Sequence, residues 1–386
     1  MKILFLYRYG ILGGVCTQLF HRLLHIPKNL DIDIHCGFKS DHGVQKMLSP
    51  HATLHFGLDE NTTTGFLRTN DFDIIVIIDT EEYIRAVREI DTSATTIIEV
   101  HTSIEKNLEY LTRLQEGDVD VFTTVSEYMV ERIEHHRSDV VSNCEIIKFG
   151  NVLDTELFKV SDIQAEGPPV VLWVGKIDDH KDWRAFMNIS SIIHKQLPEV
   201  EFWIVGGQTC PEGLSQKVFE RAEELEIIHR FRWFDRIENE MMSSFISLVR
   251  ARRGINLVTS HGESFGMSVL EVMLTGCPVV SSNVGALGEV TPEGIFFRLY
   301  ELGDLETAAS MCTELLEDGD EFDNALTALD GIREELVKLY DSATRSREYW
   351  SLLEKLNGFI LMRNQGTVFV IIVEHICFGK TTVCQL

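Results

Sequence analysis

The chain has 386 residues, 44% of them apolar and 25% charged, which is typical of a folded globular protein and excludes a disordered or fibrous one. Its formal net charge is -25 and both halves are acidic, which argues against binding to nucleic acid or electrostatic docking on anionic lipid. At this length two domains are expected, each with its own core.

The sequence also indicates where the protein works. Its eight cysteines are scattered without a Cys-x-x-Cys pair, as is typical of reduced thiols. The apolar stretch in MKILFLYRYG is too short for a signal peptide, and no window approaches the roughly 18 apolar residues of a membrane span. We therefore expect a soluble cytoplasmic protein.

Short apolar runs alternate with helical patterns along the chain. In the first half, strands are predicted at 2–7, 73–78, 95–100 and 121–125, with LFHRLLHI and SEYMVERIEHH as helices between them. A polar stretch with two prolines, SDIQAEGPP at 161–169, predicts the linker region. The pattern then restarts, with strands predicted at 170–175, 201–207, 255–260 and 278–282.

This alternation predicts an α/β protein of two Rossmann-like domains facing each other. We expect an N-terminal domain at 1–160 and a C-terminal domain at 169–341. A helix predicted at 342–360 precedes a strand-like tail at 367–386, which either adds an edge strand or is unrelated to the fold. Ligands of such sheets bind beyond the carboxyl ends of the strands, so functional residues are expected in the loops that follow them.

Several motifs for other chemistries are incomplete. HRLLH lacks the glutamate of a zinc protease, and GKTT at 379–382 lacks the leading glycine of a phosphate loop. Asp-x-Asp triplets occur at 31–33, 71–73 and 118–120, but two of them begin strand-like runs, where polar residues are expected. No Gly-x-Gly-x-x-Gly follows the first strand. We therefore predict no metal site and no cofactor.

One stretch combines a glycine-bearing turn, a helix start and two acids. In HGESFGMSVLEVMLTGCPVV, residues 261–280, the pattern predicts a helix from about Met267. The backbone N–H groups of 265–267 and the positive end of the helix dipole suit a phosphate. Phosphate repels Glu263 and Glu271, so we expect their carboxylates to accept hydrogen bonds from ligand hydroxyls. A nucleotide sugar, with hydroxyls on both sides of its phosphates, has this shape.

The longer segment ESFGMSVLEVMLTGCPVVSSNVGALGEV resembles the family 4 retaining glycosyltransferases of the GT-B fold. That family carries a glutamate, seven residues, a second glutamate, a Gly-Pro-Val-Val strand and a glycine-rich loop. Elsewhere, VGKIDDHKDW resembles the family's basic loop and LGGVCTQL its Gly-Gly loop, while EVHTS, TVSEYM and NVLDTELF match further segments. The resemblance covers roughly residues 1–310 and combines these separated motifs.

The resemblance implies a role for each candidate residue. Glu263 would contact hydroxyls of the donor sugar, and Glu271 the ribose. Lys176 and Lys181 would hold the diphosphate, with Lys176 replacing the commoner arginine and so exchanging a bidentate fork for a point charge. The other implied donor contacts are Ser264, Phe265, Gly266 and Met267 at the helix start and Gly13 and Gly14 in the first domain.

His101, in EVHTS, stands where the family has a histidine near the sugar, so Glu263 and His101 are the candidate catalytic residues. The resemblance implies metal-independent transfer from a nucleotide-diphosphate sugar to a hydroxyl of a glycan, lipid-linked or small-molecule acceptor. It also implies that the helix at 342–360 crosses back to the first domain and that the cleft closes on the donor.

Other functions fit the same residues. A sugar-nucleotide epimerase on this fold would bind the same donor and need no acceptor, and a catalytically silent protein would bind the donor without turning it over. The residues also have structural interpretations: acids of a helix start or a solvent face, surface lysines, a histidine packed at a strand end, and glycines of a tight turn.

Overall fold

The structure of the protein is a computed structural model. It describes residues 1–207, 212–363, 373–377 and 380–384, with side chains as far as residue 358. Within these ranges, no helix is both long and apolar enough to cross a membrane.

The chain divides into two compact units, which are described separately. The first unit is Met1–Val152 with Leu339–Leu386, and the second is Leu153–Lys338. The division between Val152 and Leu153 lies before the predicted domain end at 160, and the polar stretch at 161–169 falls within the second unit.

A parallel sheet forms the centre of the first unit. Its strands, with a short side ribbon of β2 and β4, are β1 (Lys2–Tyr7), β2 (Tyr9–Ile11), β3 (Asp33–Gly37), β4 (Ser40–His42), β5 (Thr53–His55), β6 (Ile74–Ile78), β7 (Thr95–Val100), β8 (Val121–Thr124) and β9 (Glu145–Lys148). The seven-stranded sheet has the order β5-β3-β1-β6-β7-β8-β9, and every pair in it is parallel. All five side chains of β6, IIVII, are buried, as expected for a strand covered on both faces.

The helices of this unit are α1 (Gly14–Leu24), α2 (Val44–Leu48), α3 (Glu60–Leu67), α4 (Glu81–Arg88), α5 (Glu105–Leu108) and α6 (Glu127–His136), with 3-10 turns at Glu109–Arg113 and Asp139–Val141. Helix α1 buries Cys16, Leu19 and Leu23 in the same core as Ile3 and Phe5 of β1. Only residues 8–13, which include the short strand β2, separate β1 from α1, so the helix starts at the carboxyl edge of the sheet.

The second unit has the strand order of a Rossmann fold. Its strands are β10 (Val170–Val174), β11 (Glu201–Val205), β12 (Phe231–Phe234), β13 (Ile255–Val258), β14 (Val279–Ser282) and β15 (Phe297–Tyr300). They pair in parallel in the order β12-β11-β10-β13-β14-β15. The helices are α7 (Trp183–Gln196), α8 (Leu214–Glu224), α9 (Asn239–Ala251), α10 (Met267–Leu274), α11 (Leu287–Val290), α12 (Leu305–Glu317) and α13 (Gly319–Tyr340), with a 3-10 turn at Ile228–Arg230.

The last helix, α14 (Ser342–Arg363), packs against α1 in the first unit. The Trp350 ring lies edge-on to Phe5, with centroids 6.2 Å apart, and its indole N–H donates to the Arg22 carbonyl at 2.8 Å. Beyond it, β16 (Val373–Cys377) and β17 (Lys380–Cys384) pair antiparallel in a sheet of their own. These strands add no edge to either main sheet, and the rest of the predicted tail at 367–386 lies outside the described residues.

Candidate functional site

Two loops of the second unit meet at its topological switch point. Connections from β10 and β13, which are neighbours in the sheet, run in opposite directions, and such a point opens a ligand crevice beyond the strand ends. The loop after β10 carries Lys176 and Lys181, and the loop after β13 carries Glu263. The predicted donor-binding residues of both loops therefore lie at one edge of the sheet.

Lys181 and Glu263 form an ion pair. The Nζ of Lys181 lies 2.5 Å from Oε1 of Glu263, and the Ser260 hydroxyl donates to the same oxygen at 2.7 Å. The two charged side chains are 24% and 14% exposed, so the pair is partly desolvated yet open to a ligand. Lys176 is exposed, and no ion pair joins it to another residue in the described part of the chain.

Backbone contacts fix the position of Lys181. The Thr259 hydroxyl lies 2.9 Å from the carbonyl oxygens of Lys181 and Asp182, and it accepts a hydrogen bond from the Trp173 indole at 3.0 Å. Asp182 has a positive φ of 46° and caps α7 by accepting from the Ala185 N–H at 3.0 Å. The basic loop is thus bound to the loop that carries Glu263.

Helix α10 starts at Met267, as predicted. Its N-cap is Gly266, which has a φ of 97°, and a Cβ added there would lie 2.6 Å from a Leu287 methyl group. Both the left-handed backbone and the close contact require glycine. The helix ends at Leu274, and Gly276 follows with a φ of 82°, the left-handed conformation that is common just after a helix C-terminus.

The glycine-rich loop after β14 lies directly behind Glu263. The Ala286 N–H donates to the Glu263 carbonyl at 2.9 Å. A Cβ on Gly285, whose φ is 56°, would lie 2.1 Å from that carbonyl oxygen. Any side chain at this position would displace the backbone of Glu263, so this glycine sets the place of the proposed sugar-binding residue.

Glu271 lies on the second turn of α10 and has an unusual environment. The residue keeps some solvent access, but protein atoms surround its carboxyl so closely that desolvation raises its pKa to about 8. Among the described residues, no side chain donates a hydrogen bond to this carboxyl or pairs with it. At neutral pH the Glu271 carboxyl is therefore largely protonated, a form that a polar ligand can engage.

Glu271 makes the stability of the ligand-free protein depend on pH. The unfolded carboxyl ionises near its ordinary pKa of 4.5, whereas the folded one keeps its proton up to about 8. The stability that the protonated Glu271 carboxyl contributes to the folded protein is therefore fully present below pH 4.5 and is lost as pH rises through 8. We expect the melting temperature of the wild type to fall relative to that of Glu271→Gln between these values. A difference that stays constant with pH would contradict this environment.

In the first unit, the switch point lies between β1 and β6. Gly13 is the N-cap of α1 in an extended conformation that any residue adopts, with φ at -175°. No heavy atom lies within 4 Å of a Cβ added to it, so glycine is required there neither by the backbone nor by packing within the protein. Gly14 is the first residue of α1. Both predicted glycines thus stand at a helix start beside the strand ends.

His101 follows β7 directly and is buried. Its Nε2 lies 2.6 Å from Oε1 of Glu99, and its backbone N–H donates to both carboxylate oxygens of Asp79 at 3.1 Å. Burial raises the pKa of Asp79 to about 6, although contacts with His101 act in the opposite direction. Asp79 has a φ of 43°, a left-handed conformation that aspartate tolerates better than most residues.

Glu99 lies in a buried ion pair. The guanidinium of Arg22 donates to its two oxygens at 2.7 and 3.0 Å, and the Tyr349 hydroxyl donates to it at 3.4 Å. Burial opposes ionisation of Glu99, but Arg22 and His101 outweigh it and hold its pKa near 2. The Arg22 guanidinium also lies 3.9 Å from the centre of the Tyr349 ring.

The Asp-x-Asp triplets have structural contacts. Asp73 accepts from the Lys2 N–H at 2.6 Å, and Asp120 accepts from the Thr96 N–H at 2.8 Å, so both fix strand starts. Asp118 forms a two-point pair with Arg88 at 2.7 and 2.5 Å. These contacts agree with the structural interpretation of two of the triplets.

The sequence analysis did not identify several residues that contact His101 in the first unit or Glu263 in the second. Asp79 and Glu99 stand at or near the ends of the apolar runs DIIVIID and TTIIEV, a position that could have identified them. Arg22 and Ser260 carried no such signal, because their partners are defined only by the folded chain.

Comparison with known proteins gives the class of the second unit. Residues 168–318 match the family model described as Glycosyl transferases group 1. A 2-deoxystreptamine N-acetyl-D-glucosaminyltransferase of Niallia circulans is 24% identical over 212 residues, 55% of this chain and 48% of that protein. The N-acetyl-alpha-D-glucosaminyl L-malate synthase of Bacillus anthracis is 30% identical over 222 residues, 55% of each chain. This chain thus spans about half the length of these curated relatives.

Solved structures extend the likeness to the whole fold. Anabaena HepE, solved with UDP and glucose, matches with a TM-score of 0.77 at 16% identity. The match covers 92% of this chain and 100% of the HepE chain. Sucrose-phosphate synthase from Thermosynechococcus elongatus matches with a TM-score of 0.74 at 15% identity, and the match covers 93% of this chain and 99% of the synthase chain. The protein therefore has the predicted GT-B fold. It carries a glycosyl transferases group 1 domain, and several of the curated proteins that it resembles are glycosyltransferases.

Proposed function

We propose that the protein is a retaining glycosyltransferase that moves a sugar from a nucleotide-diphosphate donor to an acceptor hydroxyl without a metal ion. The observation that carries this proposal is the Lys181–Glu263 pair, held at the switch point of the group 1 domain beside the start of α10. A cation and a carboxylate side by side suit a ligand whose phosphate and hydroxyls are also adjacent.

The donor would be bound mainly by the second unit. Lys181 and the exposed Lys176 would neutralise the diphosphate, together with the dipole of α10 at 264–267. Glu263 would accept hydrogen bonds from sugar hydroxyls, and Glu271 would contact the ribose. A protonated or an ionised Glu271 can accept from a hydroxyl, and ligand contacts at its carboxyl would supply the partners that it lacks in the described residues.

The chemistry would proceed through charge stabilisation and positioning. The acceptor oxygen forms a bond to the anomeric carbon while the bond from that carbon to the diphosphate oxygen breaks, and the acceptor proton passes to that departing oxygen. Lys181 and Lys176 stabilise the charge that develops on the diphosphate, which is the role that a metal ion has in other transferases. Gly13, Gly14 and His101 of the first unit are the proposed contacts from the other half of the chain.

A donor screen tests this function. UDP-, GDP- and ADP-sugars are added at rising concentration while the melting temperature is followed, because a ligand at a hundred times its Kd stabilises by about 2.7 kcal/mol. Products formed with the stabilising donor are then identified by NMR, which reports the anomeric configuration. An epimerised donor formed without acceptor would indicate an epimerase, and binding without transfer or hydrolysis would indicate a silent binding protein.

Turnover is expected to persist in excess chelator. The positive charge proposed at the diphosphate comes from Lys176, Lys181 and the start of α10, none of which a chelator removes. The initial rate of transfer, measured with and without EDTA, should agree within about twofold. Complete loss of turnover that magnesium or manganese restores would overturn metal independence.

A further inference from the structure

The His101 side chain and backbone are held by two different carboxylates. Asp79, just after β6, accepts the backbone N–H of His101, and Glu99, one strand over on β7, lies against the ring nitrogen Nε2. The residue is thus fixed in place by one acid and in ring orientation by the other.

The contacts of Glu99 determine which ring nitrogen carries a proton. Both Glu99 oxygens accept from the Arg22 guanidinium, a cation that is 3% exposed and cannot lose its charge. A carboxylate paired in this way offers only acceptors, so Nε2 at 2.6 Å must be the donor. This holds for the neutral and the cationic ring alike.

We propose that Glu99, held by Arg22, is a positioning residue that keeps the proton of His101 on Nε2 and leaves Nδ1 as the ring nitrogen presented to a ligand. The inference rests on the proposed function, in which His101 contacts the donor sugar. Asp79 supports the same arrangement through the backbone.

The buried cluster of Arg22, Glu99 and Tyr349 is better explained by a role in positioning His101 than by stability alone. Arg22 comes from α1, Glu99 from β7 and Tyr349 from α14, and the Arg22 and Glu99 side chains are almost completely buried. Desolvating two charges opposes folding, and apolar side chains of the same size would often be equally stable there. The cluster ends at His101, at the carboxyl end of β7, where ligands of such sheets bind.

The first measurement uses the wild-type protein and does not depend on activity. In ¹⁵N-labelled protein, NMR of the His101 ring is expected to show a proton on Nε2 that exchanges slowly with solvent. A ring protonated on Nδ1 alone overturns the proposal. This result stands whether or not the protein transfers sugar, so failure here is distinct from failure of the proposed function.

The second measurement uses two substitutions and a matched control. Glu99→Asp keeps the charge that balances Arg22 but withdraws the carboxylate from the ring, and Glu99→Gln removes the charge. Both are expected to lower kcat about ten- to a hundredfold, as for the loss of a charged hydrogen bond, with the Kd of the nucleoside diphosphate within about twofold. Asp118→Asn removes the charge of another buried acid of the same unit, whose arginine partner Arg88 is 30% exposed, and should leave kcat unchanged because Asp118 precedes β8 at the opposite end of the sheet from His101.

Folded Glu99→Asp protein with wild-type kcat would overturn the positioning role. So would an Asp118→Asn variant that loses as much kcat as the Glu99 variants at equal loss of melting temperature, because the effect would then follow stability alone. Absence of transfer and donor hydrolysis in the wild type would reject the proposed function instead, and the ring measurement would remain decisive for Glu99.

Discussion

Replacing Lys181 by alanine is expected to lower the turnover of sugar transfer by about 10²- to 10³-fold, the usual cost of removing one group that stabilises developing charge. Lys181 is the proposed cation at the departing diphosphate, and its ammonium lies 2.5 Å from Glu263. The substitution would remove the charge at the phosphate and leave the Glu263 carboxylate beside that anion without its counterion. The rate of sugar transfer at saturating donor measures the effect.

A control separates this effect from a general loss of positive charge. Lys159 lies in the same unit and is 63% exposed, and within the described part of the chain its only ion pair is with the exposed Glu156 at 3.3 Å, so Lys159→Ala should leave turnover unchanged. The Glu263→Ala and double Lys181→Ala/Glu263→Ala variants complete a cycle, and contact residues of one site are expected to be non-additive. Turnover of Lys181→Ala within about twofold of wild type would reject the phosphate role.

The buried strands were the part of the fold that the sequence predicted best. Runs such as IIVII in β6 and VVLWV in β10 are apolar along their whole length because helices cover both faces of a parallel sheet. Strands β3, DIHCG, and β12, FRWF, were missed because charged and polar residues interrupt them. The predicted ends of the strands lie within two residues of those observed, for example 201–207 against Glu201–Val205.

Part of the candidate site could likewise be predicted from the sequence, and part could not. The start of α10 could be predicted from local chemistry, since a glycine turn followed by an apolar helical pattern defines it. The contact between Lys181 and Glu263 could not, because 82 residues separate them and only the switch point brings their loops together. The raised pKa of Glu271 has the same origin, as desolvation depends on every segment packed around the carboxyl.

The buried ion pair in the core of the first unit predicts a second large effect, a loss of stability when Arg22 is removed. Arg22→Ala is expected to lower the free energy of unfolding of that unit by about 3 to 5 kcal/mol, the range found when one partner of a buried ion pair is removed. Glu99, 2% exposed, would lose its two bonds from the guanidinium and stay buried as an uncompensated acid. The loss of the stacked contact with Tyr349 adds to this cost. Hydrogen exchange of the amides of α1 and α14 measures the change in this unit by itself.

Replacing both charges distinguishes the cost of an orphaned acid from the value of the pair itself. In Arg22→Met/Glu99→Met, apolar side chains of similar size leave no buried charge, so stability should recover well above that of Arg22→Ala. Recovery should be incomplete, because the Nε2–H of His101 and the hydroxyl of Tyr349 lose the acceptor that Glu99 provides. A double variant no more stable than Arg22→Ala, or a single variant that loses less than about 1 kcal/mol, would contradict this account of the core. Regained stability with low kcat, in contrast, is the result expected if the charges are retained for His101 and not for folding.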